Sequence, residues 1–560
     1  MTITCFAAAR VLALAAAFAT IAISAGAQNA DTLLVNGKIL TADPRFSIQQ
    51  ALAVRDGKIE AVGTNAEIRK AAGPQSRVID LGGRTVIPGL IDSHMHAIRA
   101  ASFFSTEVNW AGVPSLAEAL ERIRQAAQAQ KPGSWIIVGG GWKPEQFKEG
   151  RLPTQAELTA ASGNHPAYIQ LLYAWVLMNP LGFEALNIKT DADLPLGGKL
   201  DRDASGQLTG GITGGIIPLF DRLPKPALEE QVEGTKKFFR ELNRLGMTGV
   251  SDPCGNNVTP ETYDAINQVW RDRQLTVRVA YSICGFTPGK EFDDFKKYLG
   301  LIPMGFGDDM MHFNGIGEQI VWAINNVENP NPADLERFYE IAKWAAGRGY
   351  SLTFHCATDA AVNPILTVFE RINREIPITN LRWSIAHLNN ASAANLRRMK
   401  ALGMGWTMQD AMYFQGDETA KRVGPEGIRR MPPVETAREL GVPVGAGTDA
   451  HRVAPYNPFT SLQWLLDGKT VSGNPTRGPE EIPSRANALR FYTQGSAWFS
   501  HDETKRGSLE AGKLADLAVL SKDYLTVPVD QVGGIESLLT MVGGKIVYAS
   551  GPFTKWENAR

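Results

Sequence analysis

Two histidines close the run Val86-Ile-Pro-Gly-Leu-Ile-Asp-Ser-His-Met-His96, an apolar, β-prone segment interrupted by Pro88-Gly89. In an extended strand the side chains alternate between faces, so residues two apart project to the same side. His94 and His96 at such a strand end offer two imidazole nitrogens to a single metal ion, and imidazole is a standard ligand of catalytic zinc. A bare His-x-His occurs often by chance. The Pro-Gly-Leu-Ile-Asp-x-His-x-His setting after a strand is what makes this pair specific. Three later apolar runs also end in a candidate group: Leu352-Thr-Phe-His355, Trp383-Ser-Ile-Ala-His387 and Val444-Gly-Ala-Gly-Thr-Asp449. Each of these, taken singly, reads equally well as a core or surface residue. His165, His312 and His501 read as structural or solvent-facing, whereas His451, two residues beyond Asp449, is placed to contact substrate.

The elements that must carry these residues alternate along the middle of the chain. Short apolar runs (Trp135–Val138, Ala167–Leu172, Gly249–Ser251, Val277–Tyr281, Leu352–Phe354, Trp383–Ala386 and Val442–Gly445) alternate with stretches of helical periodicity at Ser115–Gln130, Leu228–Leu245, Pro332–Arg348, Ala360–Glu375 and Ser392–Leu402. Such alternation predicts βα units around a parallel sheet or barrel. At either end lie strand-turn-strand segments: Asp31–Leu40 and Ala51–Val62, punctuated by Asn36-Gly37 and Asp56-Gly57, and Ala515–Leu520 with Ser537–Tyr548, turning at Gly543-Gly544. Two small β regions flanking a long middle predict one β-sandwich closed by both termini. The Gly-, Pro- and Trp-rich stretch from Phe103 to Asp221 fits no barrel repeat and reads as an insertion or lid.

The chain has 560 residues, and its 57 basic and 58 acidic side chains leave a net charge of −1, without a basic block to track nucleic acid or anionic lipid. At 44% hydrophobic and 21% charged residues it is an ordinary globular protein, not a disordered one. Residues 1–27 read as an export signal: Arg10, an alanine-rich apolar stretch, then Ala25-Gly26-Ala27 before Gln28. A membrane anchor is the competing reading, but the small residues and the A-x-A ending favour cleavage after Ala27 and a periplasmic or secreted protein, with no stable membrane insertion afterwards. Cys254, Cys284 and Cys356 remain beyond the signal, an odd number that argues against a disulfide framework while leaving room for one pair.

With these residues in place the chain resembles the amidohydrolase superfamily, and its amidohydrolase-3 branch of N-substituted formamide deformylase-like proteins most closely. The resemblance runs from Leu34-Val-Asn-Gly-Lys-Ile39 to Gly507-Ser-Leu-Glu-Ala-Gly-Lys-Leu-Ala-Asp-Leu-Ala-Val-Leu520 and takes in the histidine motifs between. It implies an α/β fold: a distorted (β/α)8 TIM barrel beside a small β-sandwich formed by both termini, with an insertion after the first barrel strand. The expected domains are a signal peptide at 1–27, sandwich segments at 28–86 and 499–560, and a barrel at 87–498 with its insertion at about 103–221. His94, His96, His355 and His387 match the family's metal ligands. Asp449 matches the eighth-strand aspartate that binds metal and shuttles the proton of the attacking water.

The sequence departs from the family in two places. Many members bridge two metals with a carboxylated lysine on strand four, but the matching run Met311-His-Phe-Asn-Gly-Ile-Gly-Glu318 has no lysine. Glu318 then either bridges two ions in its place or orients another ligand of a one-ion site, in which case His387 would orient water or substrate. Many members also carry a histidine in the inserted segment, where Leu171–Asn179 here offers Tyr173 or Trp175 as substrate contacts. The resemblance implies hydrolysis of a C–N bond of a small molecule by metal-activated water, with Asp449 as general acid/base and His387 assisting catalysis. The metal is one or two Zn2+, with Mn2+ or Fe2+ compatible with the same ligands. Ester hydrolysis, deamination or isomerisation on the same site, and a non-catalytic periplasmic binding protein, stand as alternatives, and a homodimer is a family-level expectation. The density of aromatics in the insertion (Trp110, Trp142 and Phe147 among them) reads as an apolar substrate wall or equally as core packing.

Overall fold

The computed structural model describes residues 29–557; the export signal read at residues 1–27 lies outside the described residues. Eight parallel strands dominate the middle of the chain: β1 (Leu90–Asp92), β2 (Met247–Asp252), β3 (Arg278–Ile283), β4 (Met311–Ile316), β5 (Thr353–Cys356), β6 (Ser384–His387), β7 (Gly405–Gln409) and β8 (Val444–Gly447). Strands β1 to β4 pair in chain order, as do β5 to β8. Ile316 of β4 bridges Leu352, just before β5. At the other junction the Ser93 N–H donates to the Ala446 carbonyl at 3.0 Å, so β8 returns to β1. Each strand therefore neighbours the next, and all eight carboxyl ends lie on one side. Strands covered on both faces need no polar alternation, and β6, β7 and β8 are buried at every position.

Helices link the strands, and their starts are written in the local sequence. Asn331 precedes the helix Pro332–Gly347, Thr358 precedes Asp359–Glu375 and Ser392 precedes Ala393–Ala401, each accepting a backbone N–H from the first turn with its side-chain oxygen. These helices bury their apolar stripes in the largest core cluster, around Phe338, Phe354, Phe369, Trp383 and Trp406.

Two further sheets flank this unit. A four-stranded sheet runs in the order Lys58–Gly63, Ala51–Arg55, Thr32–Val35, Arg77–Asp80. A six-stranded sheet joins the C-terminal strands Lys545–Ala549, Ser537–Val542 and Leu517–Leu520 to Thr85–Pro88, Lys38–Leu40 and Ile48–Gln49. One apolar cluster fills the space they share, with Leu34, Val54 and Ile79 from the first and Val86, Val519 and Met541 from the second. Asp56-Gly57 and Gly543-Gly544 make the expected tight hairpins, all four residues having positive φ. Asn36-Gly37 does not: Thr32–Val35 and Lys38–Leu40 leave it for different sheets. Arg278 at the start of β3 holds Asp516 through Nε–Oδ2 at 2.7 Å and Nη2–Oδ1 at 3.0 Å, a buried two-pronged pair that fastens the C-terminal strands to the eight-stranded unit.

Between β1 and β2 stands a separate five-stranded sheet, ordered Lys199–Arg202, Leu208–Thr213, Trp175–Met178, Ala167–Leu171, Ile136–Val138. Its aromatics pack on one another: Trp110 meets Trp142 edge-on with ring centres 4.9 Å apart, and Trp142 stacks on Phe147 at 5.6 Å. Of the two readings of these rings, the structure favours core packing. No helix among the described residues is long and apolar enough to cross a membrane.

Candidate metal centre

Six side chains meet at the carboxyl ends of the strands. His94 and His96 follow β1, Glu318 follows β4, His355 and His387 end β5 and β6, and Asp449 follows β8. Two triangles of donor atoms result. In the first, His96 Nε2 lies 3.0 Å and His94 Nε2 3.8 Å from Asp449 Oδ1. In the second, His355 Nδ1, His387 Nε2 and Glu318 Oε2 lie 2.9–3.2 Å from one another. Glu318 reaches toward both triangles, its Oε1 standing 3.4 Å from His96 Nε2 and its Oε2 3.4 Å from His94 Nε2. The sets His94, His96, Asp449 and His94, Glu318, His387 each bring their donors within 4.8 Å of one another, and every member is buried.

Whether these residues suit a cation is decided by His94. Its ring is wholly buried and neither nitrogen has a hydrogen-bond partner. A buried polar atom left without a partner costs about 1–3 kcal/mol, and a divalent ion that accepts the lone pair of the unprotonated ring nitrogen removes that atom's share of the penalty. The donor set of imidazoles and carboxylates is that of zinc-type sites. The residues present therefore fit a metal ion.

The surroundings fix the ligands. The His96 Nδ1–H donates to the Cys254 carbonyl, leaving Nε2 to face the carboxylates. His355 Nε2 accepts from the Asn326 amide N–H at 2.9 Å, with Asn326 Oδ1 held by the Ala357 N–H. Its Nδ1–H therefore points to Glu318 Oε2 at 3.0 Å and would have to give up that proton to an ion bound there. Asp92 accepts from the His94 N–H at 2.9 Å and from the Thr448 N–H and Oγ1–H at 3.0 and 2.8 Å, joining the two ligand loops. Burial pushes the Asp92 carboxyl up to about 7, against those hydrogen bonds. Gly447 sits where the loops cross: a β-carbon there would lie 2.6 Å from Asp92 Oδ1 and 2.7 Å from the His94 nitrogen. His387 and Asp449 take left-handed backbone, with φ of 71° and 56°, a conformation that costs a residue with a β-carbon energy and clusters at functional sites.

The charges of the site reinforce one another. Burial alone would raise Glu318, but His355 and His94 beside it hold its carboxyl well below the usual range. Burial likewise opposes ionisation of Asp449, and His387 and His96 overcome it. Both carboxylates are thus anionic at neutral pH.

The centre opens into a cavity of ≈ 430 Å³, within the range of small-molecule sites. Its wall is rich in side-chain amides, including Asn256, Gln319, Asn325, Asn389 and Gln415, with Tyr173 and Trp322 as its rings. The Asn325 and Asn389 amide oxygens are buried without a partner. Among the described residues this wall carries no lysine or arginine.

Tyr173 thus lies at the cavity, while the other two residues read as substrate contacts do not. Trp175 begins a strand of the inserted sheet and its indole N–H donates to Asp201 at 2.9 Å, so the turn after Tyr173 carries it away from the centre. His451 turns from Asp449 to bind Glu107 at 2.9 Å, drawn by a carboxylate that also pairs with Arg452 at 3.0 Å, and it lines a neighbouring cavity instead. His165, His312 and His501 all lie away from the centre, bonded to the Ser134 carbonyl, the Ser500 carbonyl and the Ser351 hydroxyl. Sequence reasoning missed Asp92, Asn326 and the Cys254 carbonyl. Of these only Asp92 had a local signal, its place in the Asp92-Ser-His-Met-His run.

The chain is similar to known proteins in sequence and in fold. The profile described as "Amidohydrolase family" matches residues 77–548. The chain is 26% identical over 549 residues to the N-substituted formamide deformylase of Arthrobacter pascens, covering 93% of this chain and 99% of that protein. Among solved structures it is similar to a metal-dependent hydrolase from Pyrococcus horikoshii, with a TM-score of 0.65, 21% identity, and coverage of 89% of this chain and 99% of that one. It is also similar to atrazine chlorohydrolase from Arthrobacter aurescens, solved with zinc, at a TM-score of 0.53 and 17% identity over 92% of this chain and 95% of that one.

Proposed function

The chain belongs to the amidohydrolase family, and we propose that it is an exported, metal-dependent hydrolase of a non-peptide C–N bond in a small, neutral amide, formamide or cyclic amide. The observation that carries this reading is the six-donor cluster at the strand ends, open to a cavity walled by neutral amides. We read the eight strands as a distorted (β/α)8 barrel and the flanking sheets as a β-sandwich made from both termini.

His94, His96, His355, His387, Asp449 and Glu318 are the residues that would hold one or two ions, with zinc the best match to the donors. A zinc-type ion supplies Lewis acidity, making bound water acidic near neutral pH and polarising a carbonyl. The chain supplies the rest. Asp449, ionised and 3.0 Å from His96 Nε2, is the base that takes the proton of the attacking water and returns it to the leaving nitrogen. His387, whose Nδ1 lies 3.7 Å from Asp449 Oδ2, steadies that carboxylate and faces the oxygen that gains charge. The amide wall donates and accepts hydrogen bonds without a fixed charge, which favours an uncharged substrate with several polar groups. The identity to a formamide deformylase supports the formamide class within it.

The test is a panel of N-formyl, N-acyl, cyclic-amide and ester substrates on zinc-loaded protein, wild type beside Asp449→Asn. Turnover of the amides that Asp449→Asn lowers at least a hundredfold is expected. Turnover of esters alone moves the reading to an esterase, and binding without turnover across the panel refutes hydrolysis.

A further inference from the structure

Cys254 and Cys284 form a disulfide between the loops that follow β2 and β3, and both residues are almost wholly buried. The loop around Cys254 touches two of the six donors through its backbone. The Pro253 carbonyl accepts from the Glu318 N–H at 3.0 Å, and the Cys254 carbonyl accepts from the His96 Nδ1–H. The Cys254 N–H donates to Asp252 Oδ1 at 2.8 Å, while Asp252 Oδ2 accepts from the Ile98 N–H at 2.7 Å, just beyond His96. The other end of the bridge is registered to the Glu318 loop as well. Gly317 donates to the Ile283 carbonyl at 2.9 Å and Gly285 to the Gln319 carbonyl at 2.8 Å, on either side of Cys284.

The bracket is held in a conformation the chain does not favour by itself. Cys254 is left-handed at φ 69°, a state that persists only where surrounding structure enforces it. Gly255 follows at φ 129°, and a β-carbon on it would come within 2.5 Å of the His96 ring. Farther along the loop Arg99 donates to the Asn256 carbonyl at 2.6 Å and Asn257 to the Ile217 carbonyl at 2.9 Å, but at Cys254 itself the bridge is the covalent tie that holds the carbonyl against that ring.

We propose that the Cys254–Cys284 disulfide positions the metal centre. By fixing two backbone carbonyls it sets the His96 ring so that Nε2 is the donor and seats Glu318 between the two donor triangles. The oxidised chain then binds metal more tightly than the reduced one. Reduction by a phosphine balances as one S–S bond and one water giving two thiols and a phosphine oxide. Without the covalent tie between the two loops, the Cys254 carbonyl is free to move off His96. Loss of such a supporting contact lowers metal affinity by about 10–100-fold. The proposal rests on the metal-hydrolase reading of the site.

The experiment loads the full chain with Co2+ or Zn2+ and measures metal retention against a competing chelator. It compares oxidised wild type, phosphine-reduced wild type and Cys254→Ser/Cys284→Ser, with circular dichroism to show that each is folded. The expected result is a loss of affinity of about 10–100-fold in both disulfide-free forms, with a change in the Co2+ visible spectrum that reoxidation of the wild type reverses. Equal retention and an unchanged spectrum in all three overturn the proposal while leaving the metal centre in place. Oxidised wild type that holds no metal overturns the metal-centre reading and this proposal together.

Discussion

Replacing Glu318 by glutamine keeps the shape of the side chain and removes its charge, which isolates what that charge does. The carboxylate oxygens lie 3.0–3.4 Å from nitrogens of His94, His96, His355 and His387. Positive charge shared by those nitrogens is therefore at that range from the carboxylate. At 3.4 Å and an effective dielectric constant of about 20, 332/(εr) gives about 5 kcal/mol per unit charge. Part of this is offset because burying the carboxylate costs several kcal/mol in the metal-free protein. A net effect of about 3 kcal/mol corresponds to roughly a hundredfold loss of affinity. The loss should fall on the ion facing His355 and His387, since His96 and Asp449 remain intact for the other. Elemental analysis of Glu318→Gln after dialysis should find about half the metal of wild type, and chelator competition should give the hundredfold difference for the ion that is lost. The same stoichiometry and affinity in both proteins would refute this reasoning, return the site to a single ion and leave Glu318 as an orienting group.

Asp449→Asn should lower kcat by about 10²–10⁴-fold, the usual worth of a general acid/base, with an unchanged circular dichroism spectrum; steady-state kinetics on the best amide of the panel reads it. Arg278→Met should destabilise the chain by about 3–5 kcal/mol, because it strands the buried Asp516 carboxylate; Arg278→Met/Asp516→Leu should recover most of the loss in thermal unfolding. His501 gives a pH dependence. Burial, with Arg382 adding to it, lowers its folded-state pKa to about 4 from the ordinary 6.5. Below pH 6.5 the unfolded chain takes a proton that the folded chain refuses, so stability falls as pH drops from about 6.5 toward 4 and this group adds nothing further below that. Allowing for its partial exposure the effect is about 2 kcal/mol, and His501→Gln should flatten that part of the urea-unfolding profile; a mutant profile parallel to wild type contradicts the assignment.

What could be read in the sequence is what the chain writes locally. The helices at Leu228–Arg244, Pro332–Gly347, Asp359–Glu375 and Ala393–Ala401 lie within a residue or two of their periodicity, because apolar spacing and capping residues sit within a few positions of the ends they specify. The strand β7, Gly405–Gln409, is not legible as an apolar run because Thr407 and Gln409 interrupt Trp406 and Met408, whereas β6 and β8, just as buried, carry no such polar breaks between their ends. Asn36-Gly37 misled for the complementary reason: a turn signal reports a reversal but not which sheet each strand joins. The candidate ligands were legible because each ends or follows a strand, and the fold brings those ends together from residue 94 to residue 449. Trp175 and His451 were not, because the direction of their side chains is decided by Asp201 and Glu107, partners far away in sequence. The Cys254–Cys284 bridge belongs to the same class. Cysteine counting allowed a single pair without saying which, and only the packing of β2 against β3 places Cys254 and Cys284 side by side with the His96 ring. A residue's type and spacing declare what it can donate. The long-range contacts decide where it donates, and in this chain they separate the cavity wall from aromatics that serve only the insertion's core.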